Sequence, residues 1–406
     1  MFPRLRFGCF NQPWEEKVIA DIADVKGGKR LPKGHSLLSE DNGYPYITVS
    51  DMENGTVKLE NIKYVPKNVI NLIKRYTITT EDIYISVAGT LGLIGKIPPS
   101  LNHANLTENA DKLTNIKVNR DFLLHYLSAG SINRLIEKTS TNSAQPKLAL
   151  YAISEMTFFE PTISEQTKIA NFLTSVDEKI TLLNKQYDLL CQYKKGMMQK
   201  IFSQKLRFKD DNGRPFHKWS NLQLKDVAIR VTRKNKENNN TILTISGKDG
   251  LVDQMTYFNK QIASKNVTGY LLIKKGEFAY NKSYSQGYPM GAIKMLSNYE
   301  KGVVSTLYIC FKLNDEQSCD FYQHYFESGL QNRAIEKVAQ EGARNHGLLN
   351  IGVNDFFDIE LQVPGLAEQN KIAHFLSAID DKITTKKTEL DKLKTWKQGL
   401  LQQMFV

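Results

Sequence analysis

The sequence predicts an α+β protein, in which two mixed α/β domains are separated by two long antiparallel coiled-coil helices and related by an internal pseudo-twofold repeat. The chain has 406 residues, which is enough for two or three domains. The stretch EQTKIANFL at 165–173 recurs as EQNKIAHFL at 368–376. After each copy, apolar residues follow a heptad spacing over about forty residues, as expected for a long helix that pairs with another.

The repeat extends well beyond this stretch and divides the chain into two units of about two hundred residues. The other matching segments are LRF at 5–7 and 206–208, ITVS at 47–50 and LTIS at 243–246, and FLLHYLSAGSINRLIEK at 122–138 and FYQHYFESGLQNRAIEK at 321–337. Residues 52–120 and 247–320 differ in sequence from each other. The matching segments therefore form a common frame on both sides of two different central segments. Those segments are rich in short apolar runs between Gly, Asn and Asp, which favours strands.

The predicted order is a first mixed domain at 1–160, a first long helix at 161–204, a second mixed domain at 205–363 and a second long helix at 364–406. Ser164 is the predicted N-cap of the first long helix. The predicted pairing seam consists of Ile169, Leu173, Val176, Ile180, Leu183 and Leu190, with Ile372, Leu376, Ile379, Ile383, Leu390 and Leu393. A seam needs a partner, and the other copy is the simplest one. A single amphipathic helix lying on a domain core is the alternative.

The charge balance favours an anionic partner. Lys and Arg number 54 against 43 Asp and Glu, so the formal net charge is +11. Such an excess indicates nucleic acid more often than any other partner, although some Lys-rich proteins have no such function.

The four cysteines, Cys9, Cys191, Cys310 and Cys319, include no C-x-x-C pair, which argues against a zinc ribbon or a redox pair. We expect them to be free, buried thiols in a reducing compartment. The N-terminal residues lack the apolar region of a signal peptide, and no stretch is apolar enough to span a membrane. The sequence therefore predicts a cytoplasmic protein.

Common catalytic motifs are absent from the sequence. No proline follows asparagine, which excludes the Asn-Pro-Pro-aromatic motif, and no proline precedes aspartate, which argues against the usual metal-dependent nuclease motif. There is no G-x-G-x-x-G loop, P-loop or H-E-x-x-H site. His125 and His324 recur at the same place of the repeat, where a histidine that stabilises its helix is favoured over a catalytic one. We therefore expect a binding protein with no catalytic, cofactor or metal site of its own.

One family combines these features. LRF leading to Trp, a variable domain, P-x-x-x-EQ-x-KI-x-x-FL and a helix ending in KKGMMQKIF or KQGLLQQMF occur twice here. This pattern resembles the specificity subunit of type I restriction-modification systems over essentially the whole chain. The resemblance implies two target recognition domains, each contacting one half of a bipartite double-stranded DNA site, and paired helices that set the spacer and dock two methyltransferase subunits.

The resemblance also implies that restriction/translocase subunits join the complex. S-adenosylmethionine, ATP and Mg would be used by the partner subunits, while this chain binds no cofactor and does not associate with membranes. Three other functions remain open from the residues themselves: a duplicated RNA-binding module, a non-catalytic coiled-coil scaffold, and an enzyme with an unrecognised site.

The candidates for DNA contact are basic and amide side chains in loops at matching places of the two units. Arg and Lys pair with guanine and phosphate, whereas Asn and Gln pair with adenine. In the first unit they are Lys29, Arg30, Lys33, Ser36, Asn142, Ser143, Gln145 and Lys147. In the second unit they are Arg230, Arg233, Lys234, Asn235, Asn281, Lys282, Tyr284, Arg344, Asn345 and His346. A solvated surface loop is the alternative interpretation of each basic segment.

Overall fold

The structure, a computed structural model, describes residues 2–140, 147–247, 250–258, 267–285, 287–339 and 349–405. Its contacts define two compact units. Unit 1 comprises Met1–Lys185 and Thr388–Val406, and unit 2 comprises Gln186–Lys387. Each unit therefore contains the first part of one long helix and the last part of the other.

Unit 1 contains short strands and helices followed by the start of a long helix. The strands are β1 (Glu15–Val18), β2 (Asp24–Gly27), β3 (Pro45–Ile47), β4 (Lys63–Tyr64), β5 (Thr77–Ile78), β6 (Ile83–Ser86), β7 (Ile94–Gly95), β8 (Ala104–Leu106), β9 (Ala110–Thr114) and β10 (Thr157–Glu160). The helices are α1 (Ile19–Ile22), α2 (Ile70–Ile73), α3 (Arg120–Tyr126), α4 (Ile132–Ser140), α5 (Leu150–Ser154) and α6 (Ile163–Phe202), whose first part lies in this unit.

Unit 2 repeats this plan. Its strands are β11 (Ser220–Gln223), β12 (Ala228–Arg230), β13 (Leu243–Ser246), β14 (Gly250–Asp253), β15 (Leu271–Lys274), β16 (Phe278–Asn281), β17 (Ala292–Met295), β18 (Lys301–Val304), β19 (Ile309–Leu313) and β20 (Glu360–Val363). Its helices are α7 (Leu224–Val227), α8 (Gln254–Phe258), α9 (Cys319–Ser328), α10 (Asn332–Val338), α11 (Val353–Phe357) and α12 (Leu366–Phe405), whose last part lies in unit 1.

The main sheet has the same strand order in both units. It runs β2-β9-β6-β7 in unit 1 and β12-β19-β16-β17 in unit 2, with every pair antiparallel. In each unit a two-stranded ribbon, β1-β10 or β11-β20, pairs the segment before the domain with the segment before the long helix. The predicted α+β class and the internal repeat are therefore confirmed, and the main-sheet strands of the two units share one order.

Within each unit the two long helices pack antiparallel. In unit 1, Ile169 and Leu173 share a buried core with Leu400 and Met404. In unit 2, Ile201 shares one with Ile372 and Leu376, and Lys194 lies near Asp380. All twelve predicted seam residues are buried or half-buried. The packing of one copy against the other, instead of a lone helix on a domain core, accounts for the heptad spacing.

An aromatic cluster joins each domain to the end of the helix that follows the other domain. In unit 1 the ring of Phe122 lies 5.9 Å from that of Trp14 and 5.5 Å from that of Phe405. In unit 2 the ring of Phe202 lies 6.4 Å from that of Trp219 and 6.0 Å from that of Phe321. The repeated Trp and the Phe at the end of the long helix therefore form the same aromatic contact in each unit.

The glutamate of each EQ pair forms a buried ion pair with the arginine of LRF. Two nitrogens of Arg6 each lie 2.7 Å from the Glu165 carboxylate, and those of Arg207 lie 2.8 and 2.7 Å from the Glu368 carboxylate. Such fork-to-fork pairs fix geometry as well as charge. Because burial raises the cost of leaving either charge unpaired, the pair ties the start of each domain to its long helix.

The glutamine of each EQ pair closes the loop that leads into the domain's short helix. Gln166 donates to the Pro161 carbonyl at 2.9 Å and accepts from the N–H of Asn119, the N-cap of α3, at 2.8 Å. Gln369 makes the same two bonds in unit 2, to Pro364 and to the N-cap of α9. The repeated motif is therefore a structural anchor.

The repeated histidines are both buried, and each has its Nε2 atom near a hydroxyl group of the long helix in its unit. The His125 Nε2 atom lies 3.4 Å from the Thr174 hydroxyl, and that of His324 lies 3.2 Å from the Ser377 hydroxyl. Burial lowers the pKa of His125 to about 4, although Asp177 opposes the shift, so its imidazole is neutral at physiological pH.

Two local predictions were wrong. The first long helix begins at Ile163, and the Thr162 hydroxyl accepts from the Glu165 N–H at 3.4 Å, so Ser164 lies inside the helix instead of capping it. All four cysteines are free thiols, but only Cys310 is fully buried, and Cys9 is exposed. In the described residues, no helix is both long and apolar enough to cross a membrane.

Candidate nucleic-acid interface

A close backbone approach positions the first basic loop of unit 1. After β2, the Gly28 N–H donates to the Ala110 carbonyl at 3.0 Å, and the Lys29 N–H donates to the Leu106 carbonyl at 2.8 Å. A Cβ atom at Gly28 would lie only 2.0 Å from the Thr107 carbonyl oxygen. The glycine therefore lets this loop lie directly against the turn between β8 and β9, which fixes the direction of Lys29 and Arg30.

This arrangement forms the cleft of unit 1, a cavity of about 580 Å³ lined by Lys29, Arg30 and Lys147 together with Glu108 and Asp111. Three of the predicted residues, from two segments more than a hundred positions apart in sequence, are thereby brought together. Lys33 and Ser36 are exposed on the same loop but do not line this cavity.

Sequence reasoning missed a second group of cations beside the cleft. A neighbouring cavity of about 500 Å³ is lined by Lys26, Arg75 and Lys112. Tyr76 lies between two cations, with its ring 5.1 Å from the Arg75 guanidinium and 5.8 Å from the Lys29 ammonium. No local motif marks these residues. Lys26 lies opposite Lys112 only because β2 pairs with β9, and this pairing cannot be recognised from the sequence.

Arg30 is held from one side by a carboxylate. Its Nε atom donates to Glu108, and the side chain is otherwise largely exposed. Burial alone would raise the pKa of Glu108, but the hydrogen bond from Arg30 lowers it. Among the described residues no acceptor contacts the two terminal nitrogens of Arg30. The ion pair therefore orients the guanidinium without occupying its outer edge.

In unit 2 the equivalent loop follows β12. One residue of β9 pairs both with Val25 in β2 and with the first residue of β6, and one residue of β19 pairs both with Arg230 in β12 and with the first residue of β16. Val25 and Arg230 are therefore equivalent. Lys29 and Lys234 follow them at the same distance along the chain, so they occupy matching places. Arg230 is exposed, and the Lys234 ammonium donates to the Gly269 carbonyl at 2.9 Å. Both side chains lie at the surface.

Two predicted contact residues of this loop have structural partners instead. Both terminal nitrogens of Arg233 bind Glu277, at 3.1 and 2.9 Å, and one of them also donates to the Leu272 carbonyl. Asn235 is 1% exposed, and its amide donates to the Asn239 carbonyl and accepts from the Asn239 N–H, both at 2.9 Å. Asn235 has no free surface for DNA, and we remove it from the candidates.

The loop after β16 offers a second polar surface in unit 2. Asn281 and Lys282 are half-buried, whereas Tyr284 is exposed. Nearby, the Lys294 ammonium lies 4.8 Å from the centre of the Tyr288 ring and 2.8 Å from its hydroxyl, a pair that the sequence did not reveal.

The remaining candidates lie outside the described residues. They are Asn142, Ser143 and Gln145 in the first unit and Arg344, Asn345 and His346 in the second.

Comparisons with known proteins agree with this architecture. A family model for the type I restriction modification DNA specificity domain matches the chain twice, at residues 11–192 and 198–395. The putative type I restriction enzyme MjaX specificity subunit of Methanocaldococcus jannaschii is 22% identical over 426 aligned positions, which cover 98% of this chain and 94% of that protein. The EcoBI specificity subunit of Escherichia coli is 22% identical over 200 positions, covering 48% of this chain and 42% of that one.

Two solved structures share the fold. The crystal structure of the type I restriction-modification S subunit from M. genitalium superposes with a TM-score of 0.57 at 18% identity, covering 100% of this chain and 99% of that one. A chain from a study of complex assembly and conformational transition in a type I system gives a TM-score of 0.54 at 12% identity, covering 97% and 98%. Since the family model matches nearly the whole chain, this protein belongs to the type I restriction-modification DNA specificity family and is a specificity subunit.

Proposed function

We propose that units 1 and 2 each contact one half of a bipartite double-stranded DNA site. One observation supports this above all: the two units share a strand order and a basic loop at the same place, yet differ in the polar residues presented there. Lys29 and Arg30 in unit 1 correspond to Lys234 and the buried Asn235 in unit 2. Two readers of different half-sites need a common frame with different contact surfaces.

In unit 1 we assign Arg30 to a guanine or a phosphate. Its free terminal nitrogens form the edge that binds guanine O6 and N7 in the major groove. Lys29 and Lys147 supply positive charge on either side and suit phosphate oxygens. The net charge of +11 favours association with DNA and makes that association salt-dependent.

We propose that the paired long helices fix the spacer between the half-sites and dock two methyltransferase subunits. Tyr193 and Trp396 occupy the same position of the repeat and are 51% and 49% exposed. In unit 2 an apolar groove of about 990 Å³ is lined by Leu189, Leu190 and Tyr193. Exposed apolar patches of this kind mark protein contacts, and a repeated exposed aromatic suits two copies of one partner.

The chain itself is then a non-catalytic component of the complex. Adenine methylation with S-adenosylmethionine, and DNA cleavage and translocation with ATP and Mg, belong to methyltransferase and restriction subunits that this chain directs to their site.

The experiment that tests this proposal maps methylated adenines in cells that contain the methyltransferase subunit, with and without this chain. We expect a bipartite motif with a fixed spacer that appears only when the chain is present. Methylation at a continuous site, or none at any motif while the chain prefers RNA to duplex DNA in competition, would contradict it.

A further inference from the structure

The floor of the unit 1 cleft contains a carboxyl group that the basic candidates do not explain. Asp111 lies in β9 and is only 6% exposed, yet it lines the same cavity as Lys29 and Arg30. Gly27 pairs directly opposite it, and because a glycine has no side chain, nothing on that residue covers the carboxylate. The acid is therefore buried in the protein but accessible from the cleft.

No hydrogen-bond donor in the described part of the chain satisfies this carboxylate. Burial raises the pKa of Asp111 to about 6, and the positive charge of Lys147 only partly opposes the shift. The carboxylate faces the cleft, where a bound ligand can supply the donor that the described residues do not. By contrast, Asp82 in the same unit is also buried but accepts from the Lys112 ammonium and the Thr79 N–H, both at 2.9 Å.

The fold does not require an acid at this position. In unit 1 Asp111 pairs with Ile85, the third residue of β6. In unit 2 the residue that pairs with Tyr280, the third residue of β16, is Ile309, which is buried. The same sheet is therefore built with an isoleucine in one unit and an aspartate in the other. The shared sheet therefore does not account for the acid.

The cleft matches one base pair better than the others. In the major groove a G·C pair presents the guanine acceptors O6 and N7 beside the cytosine N4 amino donor. The cleft presents the complementary groups, with the donors of Arg30, Lys29 and Lys147 and the acceptor of Asp111 lining one cavity. Adenine also offers an amino donor, but its N7 acceptor lies next to it and repels a carboxylate.

We propose that Asp111 is a specificity-determining residue of unit 1, and that it accepts a hydrogen bond from the N4 amino group of a cytosine in the half-site of that unit. This inference rests on the proposed function, since it names the contact by which one unit distinguishes its sequence.

The test compares Asp111→Asn and Asp111→Ala with wild type, each as the full chain in complex with the methyltransferase subunit, on a library randomised at every half-site position. We expect preference for one C·G pair in one half-sequence to fall about 10- to 100-fold in the alanine variant and less in the asparagine variant. The other half-sequence and the spacer stay unchanged. Glu81→Gln, at a carboxyl group that is 84% exposed in the same unit, is the control and should alter no base preference.

Thermal unfolding separates recognition from a structural role. Because the pKa of folded Asp111 is raised from 3.8 to about 6, its contribution to stability is largest at low pH and is lost as the pH rises through 6. At pH 7.5 we expect Asp111→Asn to unfold at the same or a higher temperature than wild type. Asp82→Asn should unfold at a lower one, since it loses a buried ion pair.

Two outcomes overturn the inference: an unchanged base preference in both Asp111 variants, or equal weakening on every sequence together with a lower unfolding temperature. In either case a bipartite motif for the wild-type complex leaves the proposed function standing. If wild type itself selects no bipartite motif, the proposed function has failed instead.

Discussion

Glu165 is almost completely buried, and its carboxylate is bound by two nitrogens of Arg6. We expect Glu165→Gln to lower the free energy of unfolding by about 3–5 kcal/mol, because the Arg6 charge is then left buried and uncompensated. Denaturant unfolding of the purified chain measures the change. Glu178→Gln, an exposed position on the same helix, is the control and should change the stability by no more than about 0.5 kcal/mol. A similar small loss in both variants would show that the ion pair contributes little.

At this scale the sequence reveals residue types and repeats but not burial. The identity of the two EQ pairs correctly predicted a part of the common frame. The arginine partners escaped notice because they lie about 160 positions away. Asn235 has a side chain well suited to adenine, yet it is buried within its own loop. Asp111 was not among the predicted DNA contacts, because no acidic side chain was considered as a candidate.

Among the elements, α9 and the end of α6 share a polar cluster that predicts an acid-sensitive step. Neighbouring side chains displace water from Glu327 and would raise its pKa, but the imidazole of His324 and the charge of Lys194 lower it to about 2. The Glu327 side chain is still 38% exposed, so solvent weakens these interactions. Its stabilising contribution is therefore complete above about pH 4.5 and is lost as the pH falls through 2. We expect Glu327→Gln to lower the unfolding temperature at pH 7, and the gap from wild type to close during acidification. Glu336→Gln, exposed on α10, should leave the temperature unchanged at every pH.

The exposed aromatics of α6 and α12 predict how the partner binds. Tyr193→Ala and Trp396→Ala should each weaken binding of one methyltransferase subunit, and the double variant should bind neither, because exposed aromatics dominate such contacts. Titration with mass measurement of the complex gives the number bound. Leu376→Ala, a seam residue, should instead destabilise the chain by about 2–5 kcal/mol. Full binding of two subunits by the double variant would place the docking surface elsewhere.

The long helices were the most predictable elements, since forty residues of heptad spacing leave few alternatives: the segments 161–204 and 364–406 correspond to Ile163–Phe202 and Leu366–Phe405. The strand order was not predictable. Strands of two to five residues have little periodicity, and the pairing of β2 with β9 joins segments about ninety positions apart. The cleft depends on that pairing, so only some of its lining residues could be named in advance.

For the whole molecule, we expect the length of the spacer and the two half-sequences to be determined by different parts of the chain, so that one can be changed without the other. Inserting one heptad into the first long helix keeps the phase of its apolar seam. We expect such a chain to direct methylation to a site with a different spacer and the same two half-sequences, as read by mapping methylated adenines. Changed half-sequences with an unchanged spacer would contradict the assignment of the spacer to the helices.

The chain segments that make up each unit also determine the order in which the units can fold during synthesis. Unit 2 is continuous in sequence, so all of it has been made once Lys387 has been added. Unit 1 lacks Thr388–Val406 until those residues are made, and they include Phe405, whose ring packs against Trp14 and Phe122. The domain that is translated first therefore completes its core after unit 2 has been made. Until then the aromatic surface around Trp14 lacks its Phe405 partner, and exposed apolar surface of this kind favours non-native contacts.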